Sequence, residues 1–191
     1  MFASIFLIIL SAVYWVLTPA ALLRFYMQLL SVSFRNPLGQ FVRAVTDWII
    51  LPLRRVFKGV GYDWASLIAA YLFELLYIFL GAAATLNFAS FATPLGIARW
   101  LVTGVFGLGI TIIAVMIGIL LVYAILSWVV REGSMITDIL AVMVAPWLRP
   151  IRRYMPLIGG IELSPLVLCV LLQIASVVLN YTLGAILLMI R

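Results

Sequence analysis

The sequence predicts an all-α integral membrane protein with four transmembrane helices, arranged as two parallel-repeat helical hairpins with interfacial amphipathic helices in the connectors. Three observations support this fold class. Only 9% of the 191 residues are charged, whereas a soluble domain carries about 25%. The mean hydropathy is +1.30. A Pro-x-Arg-Arg motif at residues 52–55 recurs at residues 150–153, which indicates an internal duplication.

Uncharged runs at residues 1–23, 75–98, 101–130 and 163–190 indicate four spans, which we place at about 2–33, 64–86, 101–130 and 163–190. Each is long enough to cross a hydrocarbon layer, which takes about 20 apolar residues in a helix. Continuous apolar runs exclude the alternating pattern of a membrane β-barrel. The first run lacks a basic leading segment, so we interpret it as a retained span rather than a cleaved signal.

Each connector contains a segment with apolar residues on one helical face. These faces comprise Phe41, Val45, Trp48 and Ile49 in the first connector, and Ile136, Ile139, Leu140 and Met143 in the second. Such helices lie in the headgroup plane with the apolar side toward lipid. Alternatively, they pack against the bundle as ordinary connector helices. Pro37 and Ser134 are the predicted helix starts.

The repeated motif sets the domain organisation. Pro52-Leu53-Arg54-Arg55 corresponds to Pro150-Ile151-Arg152-Arg153, and with one residue inserted Asp63 aligns with Glu162 and Glu74 with Gln173. The chain therefore divides into repeats at 1–98 and 99–191. Each repeat holds two spans, so both copies have the same orientation in the membrane.

The basic residues are distributed unevenly. Nine of the twelve lie in the two connectors: Arg35, Arg43, Arg54, Arg55 and Lys58 in the first, and Arg131, Arg149, Arg152 and Arg153 in the second. By the positive-inside rule, both connectors are expected to be cytoplasmic, with the N- and C-termini on the outer or periplasmic side.

The arginine-rich turns are the first candidate site. They comprise Arg54, Arg55, Lys58, Arg149, Arg152 and Arg153. Arginine binds phosphate in a bidentate manner, and a basic residue beside the membrane attracts anionic lipid by about 1 kcal/mol. We expect these side chains to bind anionic phospholipid or a membrane protein partner. The alternative is that they only determine topology.

Two carboxylates and one serine occupy the starts of the returning helices. Asp63 and Glu162 follow the arginine turns, and Ser164 precedes Pro165. A carboxylate complements the positive end of a helix, and Ser is a favoured N-cap. We expect all three to be helix caps, although the carboxylates could instead pair with the nearby arginines.

Glu74 is the candidate intramembrane acid, about 16 Å beyond Asp63 along a helix. If span one extends to the connector, Arg24 reaches a similar depth and can pair with it. The repeat provides a comparison, because Glu74 aligns with Gln173, and Arg24 with Tyr123 or, one residue on, Ala124. Alternatives are a cation or proton pathway that also uses Gln173, Asn180 and Gln28, or a neutral Glu74 in a helix contact.

The run from Ser127 to Pro165 carries a family resemblance. It contains Ser127-Trp128, Pro146, Arg149-Pro150, Arg152-Arg153, Pro156, Gly159, Glu162 and Ser164-Pro165. A shorter form occurs in the first copy, as Arg24, Pro52, Arg54-Arg55, Gly61 and Asp63. This pattern resembles the YggT/YlmG family of bacterial and plastid membrane proteins. The resemblance implies a bacterial inner-membrane location, links to osmotic and cation tolerance or cell division, and, in a chloroplast relative, assistance with cytochrome b haem attachment.

The residue inventory restricts the function. The chain has no histidine and a single cysteine, Cys169, so a metal centre or an intramembrane acid–base site is not expected. We expect no enzyme activity, cofactor or nucleic-acid partner. The favoured function is a non-catalytic scaffold or assembly factor. The alternative is a small oligomeric cation- or proton-conducting, osmotic-stress protein with Glu74 in its pathway.

Overall fold

The computed structural model describes residues 2–57, 63–85, 91, 93–129, 134–153 and 163–190. The helices in this part of the chain are α1 (Phe2–Leu29), α2 (Pro37–Val56), α3 (Trp64–Ala84), α4 (Pro94–Val129), α5 (Met135–Arg152) and α6 (Ser164–Met189). Helices α1, α3, α4 and α6 are long and apolar enough to cross a membrane. The predicted all-α, four-span membrane fold is therefore confirmed.

The connection between α1 and α2 is tight. Helix α1 ends at Leu29, and Ser31 then adopts a positive φ of 55°, a conformation that cannot continue a right-handed helix. Asn36 caps α2, because its side-chain oxygen accepts the Gly39 N–H at 2.6 Å, and Pro37 is the first helical residue. Span one is therefore shorter than the predicted 2–33, whereas the predicted start of α2 is confirmed.

The amphipathic connector helices are present, but the face that α2 buries against the bundle is not the apolar face identified from the sequence. Its buried stripe contains Val42, Thr46 and Ile50, while Phe41 and Trp48 are exposed. In α5 the buried residues are Leu140, Met143, Val144 and Leu148. Both helices therefore pack one face against the bundle, as in the alternative interpretation. Phe41 and Trp48 are more than half exposed, and the Trp48 ring lies 6.2 Å from the Phe73 ring of α3.

Helices α2 and α5 lie at the same end of the bundle, which we call the connector end. Tyr26, close to where α1 leads into α2, donates a hydrogen bond to the Met143 carbonyl in α5 at 2.5 Å. The Trp147 indole N–H donates to the Tyr26 hydroxyl at 3.0 Å. Met27 belongs to the same buried cluster as Met143 and Leu148. The first span, α1, is thus attached to the second connector helix, α5.

Tyr26→Phe should lower the free energy of unfolding by about 1 kcal/mol, because it removes one donor and one acceptor between α1 and α5. Thermal unfolding of the detergent-solubilised chain, followed by circular dichroism, measures the change. Tyr181→Phe is the matched control, since Tyr181 is 78% exposed. Equal effects of the two substitutions would contradict an attachment between α1 and α5 at Tyr26.

Candidate functional site

Four charged side chains form an ion cluster at the connector end: Arg24, Asp47, Arg54 and Asp63. Arg24 donates to Asp47 at 2.6 Å and to the Thr46 hydroxyl at 2.9 Å. Its Nε atom lies 3.9 Å from an Asp63 oxygen. Because Arg24 is only 3% exposed, its charge depends on these acids for compensation. The cluster joins α1, α2 and the start of α3.

Asp63 is the centre of this ion cluster. Its side chain is 2% exposed and accepts two hydrogen bonds from Arg54, one of them from Nε at 3.1 Å, and one from the Ser66 hydroxyl at 2.5 Å. Burial raises the pKa of Asp63, but the bonds from Arg54 and Ser66 outweigh burial, so that the pKa lies below its ordinary value. The bond to Asp63 in turn raises the pKa of Arg54.

The predicted pairing of Arg24 with Glu74 is wrong. That pairing assumed that span one continues to the connector, which would place Arg24 deep in the membrane. Because α1 ends at Leu29, Arg24 instead lies just over one helical turn from the connector end. Its acidic partners are Asp47 and Asp63, while Glu74 lies deeper along α3.

The capping predictions need correction as well. Asp63 stands at the N-cap position of α3, but its side chain makes no bond to the helix backbone and binds Arg54 and Ser66 instead. Ser164 is the first residue of α6, the N-cap position belongs to Leu163, and no side-chain cap bond forms. Glu162, like Lys58 in the lipid-site prediction, lies outside the described residues.

The remaining predicted arginines form an exposed surface at the connector end, which we call the arginine surface: Arg55, Arg149, Arg152 and Arg153. The salt bridges within the described residues involve Arg24 and Arg54, so Arg55, Arg149 and Arg153 form none there. Arg152 donates to the Tyr123 hydroxyl at 3.2 Å. The arginines of the two turns therefore differ: Arg54 is bound to Asp63, whereas three others present uncompensated charge.

A second polar group lies within the membrane-spanning part. The Tyr14 hydroxyl donates to a Glu74 oxygen at 2.6 Å and lies 2.7 Å from the Thr111 hydroxyl. A Cβ atom added to Gly107 would overlap the Glu74 carboxyl group, so the absence of a side chain there lets α4 approach. We call these residues the Glu74 cluster. It links α1, α3 and α4 by hydrogen bonds between side chains that all lie inside spans.

Gln173 and Asn180 do not join this cluster. Both lie within α6, as predicted, but their side chains are exposed rather than buried in the bundle. The Asn180 amide donates to the Ser176 carbonyl on its own helix at 2.8 Å. Gln28, the fourth residue of the suggested polar pathway, accepts from Arg54 at 3.3 Å. The structure therefore does not bring the four polar residues together along one path.

Comparison with known proteins identifies the family of this chain. The family model described as CCB3/YggT matches residues 2–84 and 102–183. The chain belongs to the CCB3/YggT family. It is 40% identical over 169 residues to the uncharacterized protein YggT of Escherichia coli, covering 88% of this chain and 85% of that protein. A Vibrio alginolyticus protein encoded in the proC 3′ region is 35% identical, with 86% and 88% covered. No solved structure matches the chain.

The two segments matched by the YggT-family model differ at the connector end. In the first, Arg54 reaches α1 and α3 through Gln28 and Asp63. In the second, Arg152 donates directly to Tyr123, one of the two residues that align with Arg24. Thr46 in the ion cluster corresponds to the buried Val144. Arg24, the buried arginine of the first segment, thus has no charged counterpart in the second.

Sequence reasoning missed several partners in both polar groups. Tyr14 and Thr111 were not predicted to bind Glu74, and neither Thr46 nor Ser66 was predicted to join the ion cluster. The signal available for Tyr14 was its position in span one, because antiparallel spans that meet at the connector place it opposite Glu74. Hydroxyls in apolar runs are common, and so this position alone did not distinguish Tyr14. No group of three His, Cys, Asp or Glu residues forms a metal site within the described residues.

Proposed function

We propose that this YggT-family protein is a non-catalytic scaffold or assembly factor of the bacterial inner membrane whose arginine surface binds anionic phospholipid. In this proposal the connector end faces the cytoplasm, and lipid bound there positions the protein or recruits membrane protein partners. The observation that carries it is the division of the connector-end arginines into compensated and uncompensated groups.

In the part of the chain that the structure describes, the arginines fall into two groups: those bound to a carboxylate, which have a structural role, and those without one, which are available to bind phosphate. Arg24 and Arg54 are bound to Asp47 and Asp63, and a phosphate would have to displace a carboxylate to reach them. Arg55, Arg149 and Arg153 are exposed and form no salt bridge within the described residues. A guanidinium group at a membrane surface with no internal acid is well suited to a phosphate oxygen.

Aromatic residues support a membrane-interface position for this end. Trp48 is 62% exposed on α2 and Trp147 is 47% exposed on α5. Tryptophan is enriched where headgroups meet hydrocarbon. Arginines on the same two helices therefore stand within reach of lipid phosphates in the adjacent leaflet. The same arrangement favours a cytoplasmic connector end by the positive-inside rule.

The test is lipid retention in native mass spectrometry of the full chain released from detergent. Replacing Arg55, Arg149 and Arg153 with Gln should weaken binding of cardiolipin and phosphatidylglycerol on the order of 100-fold, since each charge contributes about 1 kcal/mol. Phosphatidylcholine retention should not change. Arg99→Gln, at the opposite end of the bundle, is the control. Unchanged retention of both anionic lipids in the triple variant would refute the proposal.

A conducting function remains the alternative, and Glu74 is the observation that favours it. This carboxyl group is 5% exposed inside a span and is held by hydroxyl groups rather than by a cation. A potassium or proton flux across liposomes containing the protein, abolished by Glu74→Gln, would support conduction. Tight vesicles with lipid binding intact would support the scaffold.

A further inference from the structure

Helix α6 carries two carboxamides on one flank, away from the helices that it packs against. It is the least covered of the four spans. Gln173 and Asn180 are both exposed and lie seven residues apart, which places them on the same side of a helix two turns apart. Thr182 lies on the opposite flank. This flank therefore presents polar groups at two depths within the membrane.

These amides are not satisfied inside the described chain. Asn180 donates one N–H to the Ser176 carbonyl, which leaves its oxygen and its second N–H. Gln173 makes no hydrogen bond to any described residue. Gln173 lies about 14 Å into α6, where acyl chains offer neither donors nor acceptors. An amide left against lipid at that depth is unfavourable, whereas an amide from another helix satisfies it.

We propose that this α6 flank binds a second copy of the chain, with α6 packed against α6. Copies in one membrane share an orientation, so in a symmetric pair each residue meets its counterpart at the same depth. A carboxamide is both donor and acceptor and so pairs with itself. Gln173 would bind Gln173 of the partner subunit, and Asn180 would bind Asn180 of the partner subunit. Gly184, on the same flank and also exposed, permits close approach of the two helices.

The association constant of the full chain in lipid vesicles tests the proposal. Fluorescence energy transfer between labelled copies, measured over a series of protein-to-lipid ratios, should show reversible association. Replacing Gln173 and Asn180 together with Leu should weaken it at least about tenfold. Thr182→Val is the matched control, because that hydroxyl is satisfied by the Val178 carbonyl at 2.8 Å. A monomeric wild type, or equal association of the double variant, would overturn the proposal.

Oxidative crosslinking gives a second test that does not alter the amides. The single native Cys169 is first replaced with Ser. Val177→Cys then places a thiol on the proposed flank, and Val178→Cys places one on the far side. Both positions are more than half exposed, at 52% and 56%. Dimer should form with cysteine at position 177 and not at 178. Equal crosslinking at both positions, or preference for 178, would refute the α6 interface.

Discussion

Asp63→Asn is expected to lower the free energy of unfolding by about 3 kcal/mol. Removing one partner of a buried ion pair costs about 3–5 kcal/mol, because the opposite charge stays buried without compensation. The lower end applies here, since Arg54 is 39% exposed and Arg24 retains Asp47. The asparagine keeps the shape and can still bind Ser66, so the loss reports the charge.

Thermal unfolding in detergent or nanodiscs, followed by tryptophan fluorescence, measures this loss. Asp138→Asn is the matched control: it removes one carboxylate from an exposed site on α5 that forms no salt bridge within the described residues. If both variants unfold at the wild-type temperature, the ion cluster does not stabilise the connector end. That result would not bear on the separate proposal that the arginine surface binds lipid.

The same residue makes stability sensitive to acid. Because the folded pKa of Asp63 is below its ordinary value of 3.8, ionisation of Asp63 favours the folded state. Its contribution is complete above the unfolded pKa and is lost as the pH falls through the lower folded pKa. The wild-type stability should therefore decline in that acidic range, whereas Asp63→Asn should lack this part of the decline.

The fold class could be predicted from the sequence because it depends on composition and on long uniform segments. Long apolar runs in lipid can form only helices or closed barrels. The prediction of four spans therefore did not depend on any single residue. The amphipathic connectors followed from residue periodicity in the same way. Their orientation did not: Phe41 and Trp48 share a face that the sequence cannot assign to protein or to lipid, since both are apolar.

The polar contacts could not be predicted, because they depend on where helices end and how they are rotated. A helix end misplaced by four residues shifts a side chain by about 6 Å, which is why Arg24 was assigned to Glu74 instead of Asp47 and Asp63. The turn at Ser31, which ends α1, contains no glycine that would have indicated it in the sequence. Gln173 was expected to be inside the bundle, since a polar residue in a span is usually buried. A single chain does not reveal contacts that only a second copy would supply.

Gly107→Ala is expected to destabilise the protein by about 2 kcal/mol, although alanine favours helix by about 1 kcal/mol over glycine. The added methyl group would overlap the Glu74 carboxyl group. Either α4 moves away from α3, which costs about 1–3 kcal/mol as overpacking, or Glu74 moves and loses the Tyr14 hydroxyl. A buried polar group left unpaired costs a similar amount.

Gly118→Ala is the matched control, because it adds the same methyl group to the same helix with no atom within 4 Å. It should leave stability unchanged or raise it slightly. The cause can be isolated with Glu74→Ala: in that background Gly107→Ala should no longer destabilise, since the carboxyl group that it meets has been removed. Persistence of the full loss in the double variant would mean that α4 is held by its backbone contacts rather than by the Glu74 cluster, and the interhelical role of Glu74 would then be refuted.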